Sequence, residues 1–126
     1  MEVLVREYED KDHMQICLWL KKRGLGEIPK DFLSPIGLIV DGMACGFLYL
    51  TKSSMAFLDC YISNPETLYT ERHNALNRIS KELIAKARDN NVKYLKTNTK
   101  SESMRELALK NDFKYLGIEY LFLKEL

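Results

Sequence analysis

The sequence contains few cysteines and histidines, and neither sign of charge predominates. Its three cysteines show no CxxC spacing, and two histidines are too few to complete a zinc site with them, so we expect no metal ion. The odd number of cysteines also argues against a disulfide scaffold. The 19 basic and 18 acidic residues leave a net charge of +1, so no long-range field favours nucleic acid or an anionic membrane. Both are disfavoured as partners.

Long hydrophobic runs are absent as well. The longest apolar stretches, such as residues 46–50, are far shorter than the ~20 residues that cross a bilayer. The N-terminal residues alternate apolar with charged side chains and lack the basic and apolar regions of a signal peptide. We therefore expect a soluble, cytoplasmic protein.

The chain does have the composition of an ordinary globular domain, with 126 residues of which 46% are hydrophobic. A chain of this length buries roughly two thirds of the surface that its unfolded form exposes, enough for a core without cross-links. No repeat, linker or low-complexity tract divides it. We therefore treat residues 1–126 as a single domain.

The first half of the chain predicts a helix followed by an antiparallel meander. The carboxylates of Asp10 and Asp12 precede an amphipathic run that Gly24 ends, which indicates a capped helix. Two β-rich runs flank Asp41-Gly42, a dipeptide that favours a tight hairpin. Strands are thus predicted at residues 3–8, 36–40, 43–51 and 55–63, with a short helical turn near residues 29–35.

The second half predicts helices that alternate with strands. Apolar residues recur at three- and four-residue steps from Leu68 to Ala87, the pattern of a long amphipathic helix, and a strand follows at residues 92–98. Ser103 and Glu106 have the spacing of a capping box for a last helix. The apolar segment 113–126 is interpreted as two strands that separate near Gly117. The predicted order is β-α-(α)-β-β-β-α-β-α-β-β, an α/β class with a mixed sheet and helices on both faces.

This order resembles the GNAT fold of the Gcn5-related N-acetyltransferases over essentially the whole chain. The most specific stretch, LTKSSMAFLDCYISNP followed by ERHNAL, is similar to short GNAT-like proteins encoded by bacteriophages. The resemblance implies direct transfer of an acetyl group from acetyl-CoA to a primary amine, with no covalent enzyme intermediate. The amine acceptor is not identified by the sequence.

The resemblance also implies where acetyl-CoA binds. In the family, the pantetheine arm lies between the splayed fourth and fifth strands, a role that would fall here on the backbone of Cys60, Tyr61 and Ile62. The pyrophosphate lies at the start of the next helix, at a Q/R-x-x-G-x-G/A turn, which is physically a typical anion site. The corresponding residues here run from Arg72 to Asn77. Further cofactor contacts implied by the resemblance are Thr70, Arg72, His73, Asn74, Ala75 and, at the end of the fifth strand, Asn98.

Two departures from the family pattern stand out. Ala75 and Asn77 occupy the positions where glycines allow the backbone to approach the phosphates closely. In the last helix, a pattern resembling YxxxGF reads Ala108-Leu109-Lys110-Asn111-Asp112-Phe113, so the tyrosine that protonates the leaving thiolate and the glycine are both missing. Tyr120, or else Tyr115, could replace that tyrosine from the C-terminal segment. Either could equally be a rim aromatic residue.

The remaining candidates each have a functional and a structural interpretation. Asp59 on the fourth strand could be the base that deprotonates an ammonium acceptor, or an outward-facing strand carboxylate. Arg72 could bind phosphate, or pair with Glu71 or Glu66. His73 could contact phosphate, serve as a base, or lie in solvent.

A second hypothesis belongs to another class of function. A degenerate GNAT-fold protein without acyl transfer could instead bind a host or phage protein, and the missing glycines and tyrosine favour it. A filled gap between the fourth and fifth strands, or an exposed apolar patch, would support that alternative. An open groove with polar lips would support the enzyme. GNAT-like proteins also pair through their C-terminal strands, so the resemblance allows a homodimer.

Overall fold

Five strands form one sheet in the order in which they occur along the chain. The computed structural model describes residues 3–126. The strands are β1 (Arg6–Glu7), β2 (Ile36–Val40), β3 (Ala44–Leu50), β4 (Met55–Ser63) and β5 (Tyr94–Thr97); the helices are α1 (His13–Lys22), α2 (Tyr69–Asp89) and α3 (Glu102–Lys110). Successive strands from β1 to β4 are antiparallel, whereas β5 runs parallel to β4. This mixed α/β sheet confirms the predicted fold class.

The central hairpins form where turn residues interrupt β-rich runs. Val40 pairs with Ala44 across a three-residue loop in which Gly42 adopts a φ of 73°, a conformation that glycine reaches without strain. The bounds of β2 and β4 agree with the prediction, and a 3-10 turn, Lys30–Phe32, lies in the predicted connection.

Helices cover both faces of the sheet, as predicted. Ile16 and Trp19 of α1 pack with Ile39 and Phe47 on one face. On the other face, the apolar residues of α2 and Leu107 of α3 pack against the alternate sheet residues, including Leu38 and Leu48. The period of two along each strand separates these two cores.

The start of α1 differs from the prediction of simple carboxylate caps. The buried Asp12 makes no capping bond to α1; its carboxylate accepts from the Glu9 N–H at 2.8 Å and from Arg6 Nη2 at 2.7 Å. Arg6 also donates to Asp41 in the β2–β3 loop. Arg6 lowers the pKa of the Asp12 carboxyl, because the guanidinium stabilises the charged form. This ion cluster links β1, the start of α1 and the hairpin loop.

Two predictions for the C-terminal part are wrong. The N-cap of α3 is Ser101, whose hydroxyl accepts from the Met104 N–H, so Ser103 and Glu106 form no capping box. Residues 111–126 contain no strand, because they pair with no other strand of the described chain. The order therefore ends with α3 in place of two further strands.

A β-bulge distorts β4 in its second half. Cys45 pairs with Ile62 and Phe47 with Asp59, so Cys60 and Tyr61 together oppose Gly46. Cys60 has a φ of 55°, which is uncommon for a residue with a Cβ. The Asp59 carboxylate accepts from the Cys60 N–H at 2.7 Å and satisfies this donor of the bulge.

Gly46 leaves room for the ring of Tyr61 on the α2 face. A Cβ at this position would lie 2.6 Å from Tyr61 Cε1 and 3.1 Å from a methyl group of Ile79. The tyrosine ring therefore lies directly over the β3 backbone, and the bulge, β3 and α2 are packed as one unit.

Gly46→Ala is expected to destabilise the fold by about 1–3 kcal/mol, because the added methyl group must displace the Tyr61 ring. Gly26→Ala is the matched control, since a Cβ at Gly26 meets nothing within 4 Å. The free energies of unfolding from urea titrations measure both effects. Equal stability of the two variants would contradict the packing described.

Cys60→Val is expected to be less stable than Cys60→Gly by about 1–3 kcal/mol, because a β-branched residue is strained at positive φ whereas glycine is not. The comparison between the two variants matters, since both lose the same thiol. Chemical denaturation would reveal the difference. If the valine variant were the more stable, the left-handed conformation of the bulge would be ruled out.

Candidate functional site

A groove opens where β4 and β5 separate. Their parallel pairing ends at Leu58 and Thr97, where the Thr97 hydroxyl donates to the Leu58 carbonyl at 3.0 Å. Beyond this pair β4 continues through the bulge to Ser63, whereas β5 ends. The resulting cavity, about 510 Å³, is lined by the end of β4, residues 97–99, the first half of α2 and α3. It is open and has polar lips, as a ligand-binding site does.

The fold brings most of the predicted site residues to this groove. Seven of them line it: Asp59, Cys60, Tyr61, Ile62, Arg72, His73 and Asn98. Four do not: Thr70, Asn74, Ala75 and Tyr120. Ala75 is fully buried on the inward face of α2, and Tyr120 is 91% exposed in the C-terminal segment.

Tyr61 and Cys60 are both protonated groups at neutral pH. Burial raises the pKa of Tyr61 to about 12, and its hydroxyl lies 3.0 Å from Ser80 Oγ. Burial also raises the pKa of the Cys60 thiol, whose Sγ accepts from the Tyr49 hydroxyl at 3.2 Å. A protonated thiol is a poor nucleophile. The groove therefore offers no activated cysteine at this position.

Asp59 lies at the groove and has the exposure of an outward-facing strand residue. One carboxylate oxygen accepts the Cys60 N–H of the bulge. A carboxylate can accept more than one hydrogen bond, so Asp59 could also meet a cationic group in the groove.

Two arginines meet at the mouth of the groove. Arg72 donates to the Thr67 carbonyl at 2.6 Å. In the described residues it forms no ion pair with Glu66 or Glu71, and Glu66 pairs with Lys22 instead. Arg23, at the end of α1, donates to Ser63 Oγ at 2.7 Å. Burial lowers the pKa of Arg23, and the nearby charge of Arg72 lowers it further.

Neither guanidinium has a carboxylate partner in the described part of the chain. Two such cations at one opening fit an anionic ligand with several oxygens. Arg23 was not predicted from the sequence, because a cation after a helix is usual and nothing local relates it to Arg72, 49 positions away. Ser80 was missed because nothing in the local sequence relates it to Tyr61, whose hydroxyl it contacts.

The departures from the family pattern have local explanations. The Asn77 side chain accepts a hydrogen bond from Asn111 Nδ2 at 3.1 Å, so it joins α2 to α3. Asp112, at the position of the pattern's glycine, has a φ of 68°, the left-handed conformation that favours glycine. Ala108, at the position of the missing tyrosine, lines the groove.

Other kinds of site are not seen in the described residues. Residues 3–126 contain no cluster of three or more His, Cys, Asp or Glu side chains suited to a metal ion. None of the helices in this range has the length and apolar character that a membrane span requires.

Comparison with known proteins supports the fold. No protein-family model and no curated protein sequence matches the chain. Among solved structures, Rv2747 from Mycobacterium tuberculosis, in complex with CoA and a second ligand, has a TM-score of 0.72 at 16% identity, over 90% of this chain and 73% of its own.

Two further structures cover nearly the whole chain. A Trypanosoma brucei acetyltransferase has a TM-score of 0.65 at 12% identity, over 99% of this chain and 100% of its own. A variant of TTHA1254 from Thermus thermophilus has a TM-score of 0.69 at 12% identity, over 98% of this chain and 97% of its own. At these identities the likeness establishes the fold alone: the chain has an α/β, GNAT-like fold.

Proposed function

We propose that this protein is an N-acetyltransferase that moves an acetyl group from acetyl-CoA directly to a primary amine. The observation that carries this proposal is the open groove between β4 and β5, with two guanidiniums unpaired by carboxylates at its mouth. The CoA bound to one structure of the same fold is consistent with such a ligand. Fold alone does not define chemistry, and it is the residues of the groove that support this function.

The cofactor would lie along the groove. Its pantetheine arm would run between the strands, against the backbone of Cys60, Tyr61 and Ile62. Its pyrophosphate would lie at the start of α2, where Arg72 and the unpaired N–H groups of the first turn provide positive charge. Asn98 follows β5 and lines the opposite wall. Thr70 and Asn74 are close to Arg72 on α2 but do not line the groove, so we assign them a lesser part.

Catalysis would depend mainly on placing the amine against the thioester. The amine nitrogen attacks the carbonyl carbon, the carbon–sulfur bond breaks, and CoA leaves as a thiolate that takes up a proton. Asp59, directly or through a water molecule, would accept the proton that the ammonium group loses. Tyr120 could protonate the thiolate only if the C-terminal segment moved to the groove; otherwise solvent supplies the proton.

Acetyl-CoA is expected to bind in the micromolar range, and Arg72→Glu to weaken binding by at least roughly tenfold, because the reversed charge repels phosphate. Isothermal titration calorimetry measures both. Arg78→Glu is the matched control, since Arg78 lies on the same helix, pairs with Glu82 and is not in the groove. No detectable binding to the wild-type protein at millimolar acetyl-CoA would reject the proposed function.

A partner-binding function is favoured by one observation, the exposed C-terminal segment. Six apolar side chains between Leu116 and Leu123 are each at least 81% exposed. Such a concentration of exposed apolar surface typically marks an interface. β5 is the last strand of the sheet, so its outer edge is open to another strand. We propose that two copies associate through their C-terminal segments, in addition to the enzymatic function.

The wild-type protein is therefore expected to be a dimer, and the double variant Leu121→Asp, Phe122→Asp to be monomeric, because each carboxylate would be buried without a partner. Light scattering after size exclusion gives the mass. Lys124→Asp places a carboxylate at a polar position of the same segment and should remain dimeric. A monomeric wild-type protein would reject this association.

A further inference from the structure

An aromatic and cationic cluster forms the outermost part of the groove. Tyr69, the first residue of α2, is 52% exposed. Its ring stacks on the imidazole of His73, with centroids 5.5 Å apart and planes inclined by 28°. The guanidinium carbon of Arg72 lies 5.5 Å from the centroid of the same ring. All three residues line the groove, so the cluster faces the space in which a ligand would lie.

The side chains along one face of α2 change in chemical character from the mouth of the groove to its interior. The groove-lining residues of this helix follow helical spacing, in the order Tyr69, Arg72, His73, Leu76 and Ser80. Tyr69 is half exposed and Ser80 only 7% exposed, which sets the direction. From outside to inside the ligand would therefore meet an aromatic ring, a guanidinium and an imidazole, an apolar side chain and a hydroxyl, over about 16 Å of helix.

That order matches the order of groups in a CoA molecule. CoA carries a planar adenine ring, then phosphates, then an arm of alkyl and amide groups. Arg23 adds a second cation across the mouth, and Leu25 beside it is 57% exposed. Aromatic side chains bind bases by stacking, and nearby cations neutralise the attached phosphates.

We propose that Tyr69 stacks on the adenine ring of the acyl-CoA, so that the mouth of the groove is a nucleotide-recognition site. The inference rests on the proposed function, and it assigns to Tyr69 a direct contact with the ligand. The competing explanation is structural: the tyrosine ring would merely hold the Arg72 guanidinium in place. If the ring stacks on adenine, removing it should weaken binding of the nucleotide half of the cofactor alone. If the ring only holds Arg72 in place, both halves should lose affinity equally.

The test uses the two halves of CoA as separate probes, 3′-phosphoadenosine 5′-phosphate and 4′-phosphopantetheine. Tyr69→Leu should weaken binding of the nucleotide half by roughly 5- to 100-fold, the range of base–aromatic stacking, and leave the phosphopantetheine half unchanged. Tyr69→Phe keeps the ring and should bind both halves as the wild type does. Calorimetry, or ligand-observed NMR for the weaker half, measures the affinities.

Each other outcome has a defined meaning. Equal losses for both halves in Tyr69→Leu would show that the ring only positions Arg72, and would overturn the inference. Unchanged binding of the nucleotide half would overturn it as well, while binding of phosphopantetheine to the wild-type protein would leave the proposed function standing. If the wild-type protein bound neither half, nor acetyl-CoA, both would fail together.

Discussion

The separation of β4 from β5 is the constraint on which the site depends. A parallel pair of strands normally continues its hydrogen-bond ladder, which would close the space between them. Here the Thr97 hydroxyl donates to the Leu58 carbonyl, and the regular strand pairing ends at Leu58 and Thr97. The bulge at Cys60 then turns the rest of β4. Because buried backbone groups need partners, a gap of this kind persists only where side chains, water or a ligand satisfy them.

The bulge is supported from both faces of the sheet. On the α2 face, Gly46 admits the Tyr61 ring, whose hydroxyl lies beside Ser80 of α2. On the α1 face, the Cys60 thiol accepts a hydrogen bond from Tyr49. A residue held at positive φ costs free energy, so these contacts must stabilise it. The wall of the groove is thus a consequence of core packing as much as of strand pairing.

Local patterns allowed much of this fold to be predicted. The two β-rich runs around Asp41-Gly42 predict the hairpin, and the three- and four-residue steps predict α2. The site was predicted less completely than the fold, as Arg23 shows. Its proximity to Arg72 depends on how α1 packs against the end of β4. The C-terminal segment shows a different limit. Its composition is that of a strand, yet a strand requires a hydrogen-bonded neighbour, and this segment pairs with none in the described chain.

The missing glycines affect the packing of the helices and the proposed binding of an anion in different ways. Asp112 adopts the glycine-like conformation at the end of α3, and Asn77 is bonded to Asn111, so both substitutions are accommodated without closing the groove. What is lost is close approach of the backbone at residue 75 to an anion, because Ala75 is buried and not at the groove surface. The positive charge that a glycine-rich turn would supply through its backbone N–H groups must then come from the first turn of α2 and from side chains. In the proposed mode of binding, Arg72 and Arg23 would supply it, and the Tyr69 ring beside Arg72 would contact the base.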